Sequence, residues 1–177
     1  MSASTWKLAF IGEPGAGKST CINAVSDFPA VSTDVECTDD LAKLKKTTTV
    51  ALDYGEMNLG EQGRLLLYGL PGQSRFSFMM DAIQDGLAGV VVLVDAQSKA
   101  PILGLTATLD TYAGMLARYP LVVAINKSHD QAQELRRQAT AVLRRYKLVA
   151  PVLSVDARRR EDLARIFDLV FLCAEHA

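Results

Sequence analysis

The chain has 177 residues, enough for one full core beneath a sheet covered on both faces, and no second domain is needed. A net charge of −1 leaves no excess positive field to attract nucleic acid or an anionic membrane, so neither is expected as a partner. Three scattered cysteines (Cys21, Cys37, Cys173), odd in number and without metal-ligand spacing, suggest a reducing interior and structural roles. The opening MSAST lacks a signal-like run, Cys173 stands one position too early for a prenylation box, and no apolar stretch approaches the ~20 residues that span a bilayer. A cytoplasmic protein with no stable membrane anchor is the expectation.

Along the chain, short apolar runs alternate with segments of helical period, the pattern of a mostly parallel sheet with crossover helices. WKLAFIG (6–12) reads as the first strand and 17–27 as the first helix. The stretch 27–46, with acids Asp34, Glu36, Asp39 and Asp40 followed by Lys43, Lys45 and Lys46, reads as a solvated loop with a short helix or as a mobile switch. TVALDYGEM (49–57) and RLLLYGL (64–70) are joined by NLGEQG, too short for a crossover helix, which predicts an antiparallel hairpin. There follow a helix over 75–84, a strand GVVVLVDA (89–96), a helix over 102–117 and a strand LVVAIN (121–126). A helix over 131–146 has Leu135, Ala139, Val142, Leu143 and Tyr146 on its apolar side and Arg136, Arg137, Arg144 and Arg145 on its wet side. After a strand PVLSV (151–155), the last helix, over 161–174, carries Leu163, Ile166, Phe167, Val170 and Ala174 on one face.

Directly after the first strand stands Gly12-Glu13-Pro14-Gly15-Ala16-Gly17-Lys18-Ser19, followed by Thr20, which fits G-x-x-x-x-G-K-[ST] in the strand-then-helix setting this motif requires. Its glycines let backbone N–H groups point inward at phosphate oxygens, and the helix beginning near Gly17 adds its positive end. Lys18 supplies a mobile charge for the β- and γ-phosphates, and Ser19 a hydroxyl for Mg²⁺. With this motif the fold class is α/β, a three-layer P-loop NTPase sandwich with six strands, one of them antiparallel, and five helices, forming a single domain over 1–177. Thr47, Thr48 and Thr49 either begin a strand or offer a hydroxyl to Mg²⁺. In Gly69-Leu70-Pro71-Gly72-Gln73, Gly72 can present its N–H to a γ-phosphate and Gln73 can orient a water, although Pro-Gly is also a plain turn signal.

The series GEPGAGKST, TTTVALDYG, GLPGQSRF, AINK and SVDAR, spread over 12–158, resembles the Ras-like small GTPases. It looks closest to the bacterial branch related to the gliding-motility GTPase, small proteins that pair with roadblock-domain partners. The resemblance implies a domain that takes GTP and GDP with Mg²⁺ and is a weak GTPase without a partner. It puts Lys18 on phosphates, Ser19 and Thr49 on Mg²⁺ with Thr48 in reserve, Gly72 on the γ-phosphate and Gln73 on the attacking water. It also matches Asn126 and Lys127 to the start of the N-K-x-D base motif, and Asp156-Ala157-Arg158 to the last loop, where the Ala157 N–H meets guanine O6.

Three departures from the family pattern stand out. Gly69 replaces the Asp that opens D-x-x-G, which removes the usual carboxylate from the Mg²⁺ water shell; Asp95 is either recruited in its place or caps the next turn. His129 replaces the Asp of N-K-x-D, and a neutral imidazole has one acceptor nitrogen where a carboxylate accepts two bonds from the guanine edge. Asp130 is either a substitute or, with Gln133, a helix capping box. The interval between Lys18 and Thr49 holds no arginine, which leaves Arg75 as the candidate for stabilising transition-state charge. The expected function is a slow GTPase switch; a non-hydrolysing nucleotide-bound module, ATP in place of GTP, and a small-molecule kinase are the alternatives.

Overall fold

The computed structural model describes residues 4–32, 52–74 and 77–175. Five strands form the body of the sheet: β1 (Thr5–Gly12), β4 (Arg64–Pro71), β5 (Leu87–Asp95), β6 (Leu121–Asn126) and β7 (Val152–Val155), all running parallel. β3 (Asp53–Asn58) is the reversed strand and pairs antiparallel with β4. All six expected strands are therefore present, and a two-residue strand, β2 (Val31–Ser32), pairs with β3 at the edge, giving the order β2-β3-β4-β1-β5-β6-β7. The helices are α1 (Lys18–Val25), α2 (Phe78–Ile83), α3 (Pro101–Leu116), α4 (Ala132–Arg145) and α5 (Arg160–Glu175). Thr47, Thr48, Thr49 and Arg75, with most of the proposed switch, lie outside the described residues.

Two apolar layers sandwich the sheet, and the two-residue period of a strand divides them. Leu8 and Phe10 of β1, Leu65 and Leu67 of β4, and Val91 and Leu93 of β5 face α1 and α5, packing on Ile22, Leu163, Ile166 and Val170. Ala9, Ile11, Tyr68, Leu70, Val90 and Val92 face the other way, toward α2, α3 and α4. Burial on both sides explains why the central strands read as unbroken apolar runs rather than alternating ones. On α5 the expected Leu163, Ile166, Phe167 and Val170 are buried and Phe171 packs against the same cluster, whereas Ala174 is exposed. Cys21 is buried and Cys173 half-buried, both as free thiols. Among the described residues, no helix is long and apolar enough to cross a membrane.

The β3–β4 hairpin turns through a short 3-10 turn at Gly60–Gln62 and is centred on Glu61, pairing Asn58 with Arg64 and Asp53 with Gly69. This register fixes the site described below. At the opposite end of the sheet, β5 and α5 meet at Gly89, where a Cβ would lie 2.4 Å from Val170 Cγ1 and 3.0 Å from the Pro120 carbonyl oxygen. Gly89→Ala is therefore expected to destabilise the fold by about 1–3 kcal/mol through overpacking. A thermal or urea unfolding comparison with the wild-type protein measures it.

Candidate functional site

β1 ends at Gly12 and the chain reverses over α1 in a loop held by close backbone approach. A Cβ on Gly12 would meet the Leu93 carbonyl oxygen at 2.5 Å, so β5 passes too near for any other residue. Gly17 has φ 110°, a left-handed conformation that favours glycine, and caps α1 without a side chain. The first-turn N–H groups of α1 at Lys18, Ser19 and Thr20 thus have no intrahelical acceptor and lie at the positive end of the helix, an arrangement suited to an anion.

The Lys18 ammonium folds back over the loop and donates to the carbonyls of Gly12 at 2.8 Å and Glu13 at 2.9 Å. Burial lowers its pKa from the usual lysine value, an effect that the nearby carboxylates of Asp53 and Glu13 partly oppose. A partly buried cation beside the open first turn of α1 is placed to meet an anionic ligand.

Asp53 is the residue that sequence reading missed. Opposite residues of an antiparallel pair put their side chains on the same face, so Asp53 leans over Gly69. A Cβ built on Gly69 would lie 3.0 Å from Asp53 Cβ and 3.2 Å from its Oδ2. The Asp53 carboxylate thus borders the space that a side chain at position 69 would enter, and Ser19 Oγ donates to Asp53 Oδ2 at 2.5 Å. A hydroxyl, a carboxylate and nucleotide phosphates would make an all-oxygen donor set, the chemistry that suits Mg²⁺. No cluster of three or more His, Cys, Asp or Glu forms a metal site among the described residues. Asp95 forms the turn cap that the sequence offered as an alternative: Oδ1 accepts the Gln97 N–H at 2.9 Å, and Oδ2 pairs with Lys127 Nζ at 2.7 Å.

Three loops meet beside the phosphate loop. Asn126, 4% exposed, donates from Nδ2 to the Ala16 carbonyl at 3.0 Å and accepts the Ala157 N–H on Oδ1 at 3.1 Å. Lys127, at φ 61°, reaches the Gly15 carbonyl at 2.9 Å. Together they shape a cleft of about 550 Å³, within the range of small-ligand sites. Gly15, Gly17, Thr20, Asn126, Lys127, His129, Asp156, Ala157 and Arg158, all singled out from sequence, line this cleft.

Several expected ligand contacts are already engaged inside the protein. The Ala157 N–H is held by Asn126, and the Gly72 N–H donates to the Gly12 carbonyl at 2.9 Å. Asp156 is tied to Arg158 through both carboxylate oxygens, at 2.9 and 2.6 Å, and this bonding drives its pKa down. Gln73 is exposed at the end of β4. Gln97, Ser128 and Ser154 also line the cleft, and the buried Ser154 hydroxyl has no hydrogen-bond partner among the described residues.

His129, exposed with φ 34°, opens the 3-10 turn His129–Gln131 and lines the cleft where the base motif usually places a carboxylate. Asp130 does not replace it, since it faces an adjoining groove with Lys99 and Gln131. The expected Asp130–Gln133 capping box does not form either, because the intervening 3-10 turn moves the cap of α4 to Gln131, which makes no side-chain cap bond.

A family model described as "Conserved hypothetical ATP binding protein" matches residues 30–170, beginning after the phosphate loop, and the chain belongs to that family. A curated relative, Ras-related protein Rab-18 of Lymnaea stagnalis, is 25% identical over 122 residues, 67% of this chain and 54% of its own. The chain therefore spans about half the length of that relative. Among solved structures, the small GTPase Arl6 BBS3 of Trypanosoma brucei, with bound GppNp, aligns at a TM-score of 0.68 with 14% identity, covering 98% of this chain and 99% of that one. The G domain of the T. maritima FeoB iron transporter aligns at 0.60 with 16% identity, covering 97% and 99%. The cytosolic domain of the same transporter in a GDP form aligns at 0.63 with 16% identity, covering 98% of this chain and 65% of that one. The fold is that of a small-GTPase-type P-loop NTPase.

Lys18→Met is expected to weaken nucleotide binding at least tenfold, since each lost charge-assisted hydrogen bond is worth about 1.5–3 kcal/mol. The nucleotide-free variant should melt no lower than wild type at neutral pH. The folded pKa of Lys18 lies below its unfolded value, so the cost of its charge is full at neutral pH, fades as pH rises through the folded pKa and is gone above the unfolded value of about 10.4. Thermal melts of both proteins across that pH range measure the narrowing difference.

Proposed function

We propose that this member of the conserved hypothetical ATP binding protein family is a nucleotide-dependent switch that binds Mg-GTP, hydrolyses it slowly to GDP and phosphate, and signals its state to a protein partner. The observation that carries this reading is the placement of the Asp53 carboxylate over Gly69 and against the Ser19 hydroxyl. It supplies, beneath the phosphate loop, the acid that the D-x-x-G position lacks.

In this reading the loop N–H groups from Gly15 to Ser19 and the Lys18 ammonium bind the β- and γ-phosphates. Ser19 and Thr49 would hold Mg²⁺, with the Asp53 carboxylate against the Ser19 hydroxyl, and the ion would neutralise phosphate charge. Gly72 turns its N–H to the γ-phosphate, and Gln73 orients the attacking water, whose oxygen displaces GDP from phosphorus. Arg75 offers positive charge to the transition state. Thr20, Asn126, Lys127, His129, Asp156, Ala157 and Arg158 border the base and ribose. Positioning and charge stabilisation supply nearly all the rate in such reactions, and exposed Gln73 has no hydrogen bond to hold it among the described residues, so isolated protein turns over slowly. A partner that orders Gln73 raises the rate; the resemblance to the gliding-motility branch makes a roadblock-domain protein the partner of choice.

One observation favours a second reading, ATP in place of GTP. Among the described residues the cleft at His129 offers no free carboxylate to accept the guanine N1–H and N2–H₂ pair, and Asp156 is taken by Arg158.

Competition of GTP, GDP, ATP and ADP for the site, with and without Mg²⁺, tests the assignment. GTP and GDP are expected to compete best and to need Mg²⁺. Equal competition by ATP would overturn guanine preference and leave the phosphate site standing, and no competition by any nucleotide would sink the function. In single-turnover hydrolysis, Gln73→Ala is expected to slow the chemical step about 10²-fold through loss of water positioning. Equal rates for the variant and wild type would instead support a non-hydrolysing module.

A further inference from the structure

The peptide unit joining Pro71 and Gly72 has both its polar groups engaged. The Pro71 carbonyl accepts the Tyr112 hydroxyl at 2.9 Å, and the Gly72 N–H donates to the Gly12 carbonyl at 2.9 Å. Tyr112 projects from α3 into the core and is 2% exposed. Burial pushes its pKa up to about 12, so the phenol is a neutral donor throughout the physiological range. The space around the unit is tight: a Cβ on Gly72 would lie 2.8 Å from Thr108 Oγ1 and 3.1 Å from the Gly12 carbonyl carbon.

A peptide is planar, and in the trans form its C=O and N–H point in opposite directions and turn together. Directing the Gly72 N–H away from Gly12 and toward a γ-phosphate therefore swings the Pro71 carbonyl off the Tyr112 hydroxyl. Neither hydrogen bond survives the turn. A nucleoside diphosphate asks for no such turn and leaves both bonds intact.

We propose that Tyr112 is a positioning residue that latches the Pro71–Gly72 peptide in the orientation that gives the Gly72 N–H to Gly12, and thereby sets the protein's preference between nucleoside diphosphate and triphosphate. This rests on the reading above, in which Gly72 meets the γ-phosphate. Apparent triphosphate affinity equals intrinsic affinity scaled by the unlatched fraction. Weakening the latch raises that fraction and leaves diphosphate affinity unchanged.

Tyr112→Phe removes the hydroxyl and keeps the ring. Equilibrium titrations with GDP and with a non-hydrolysable GTP analogue, both with Mg²⁺, are expected to show unchanged GDP affinity. Affinity for the analogue should rise about two- to tenfold, the range for one net hydrogen bond. An unchanged ratio, or a parallel loss of both affinities as a purely structural role would produce, overturns the latch. Wild-type protein carrying ¹³C-labelled tyrosine gives an independent readout: the Tyr112 Cζ resonance, assigned by through-bond correlation from its own ring and backbone in the wild-type protein, is expected to shift between the GDP and analogue complexes. An unmoved resonance overturns the latch even if the variant fails to fold. Failure of wild type to bind either nucleotide overturns the underlying function as well, and is thereby distinguishable from failure of the latch alone.

Discussion

The site depends on one buried amide. Asn126 spans the gap between the phosphate loop and the last loop, donating to Ala16 and accepting from Ala157. Its Nδ2 lies 2.5 Å from where a Cβ of Gly17 would stand, so the glycine that begins α1 and the asparagine that ends β6 fit only as a pair. Lys127 extends the clasp to Gly15 and is itself held by Asp95. Three loops from the ends of parallel strands are thus fixed relative to one another by contacts within the protein. Such preorganisation lowers the ordering cost of binding.

The rest of the phosphate site follows from strand pairing. In the proposed reading, the chemistry that the family pattern assigns to position 69 falls to Asp53, which faces that position across one antiparallel pair. What the geometry preserves is the place of the carboxylate over the Ser19 hydroxyl, irrespective of the strand that bears it. On the base side no equivalent compensation appears among the described residues: Asp130 faces away and Asp156 is paired. The phosphate end therefore supports a nucleotide switch more firmly than the base end supports guanine.

Much of this was legible in the residues because the strongest signals are those of burial. β1, β5 and β6 are covered on both faces and read as continuous apolar runs, while α4 shows its buried Leu135, Ala139, Val142 and Leu143 at helical spacing. The phosphate loop and the cleft-lining residues were legible because their backbone demands require glycine or a fixed polar type. Asp53 was hidden for a different reason. Its role emerges only when the hairpin is folded about Glu61 and its register counted, whereas Asp95 looked available because it follows an apolar strand. β2 is too short to leave a pattern, and the internal partners of the Gly72 and Ala157 N–H groups belong to tertiary geometry that no local spacing records.

The central claim, that Asp53 stands in for the acid missing at position 69, is tested most directly by moving the carboxylate and measuring the Mg²⁺ dependence of GTP affinity. Asp53→Gly alone should weaken Mg²⁺ coupling by about 10–100-fold, the usual cost of losing a residue that supports a metal's ligands. The double variant Asp53→Gly with Gly69→Asp should recover a large part of that loss, because the carboxylate returns to the same volume from the other strand. Wild-type Mg²⁺ dependence in the single variant, or no recovery in a folded double variant, would contradict the account.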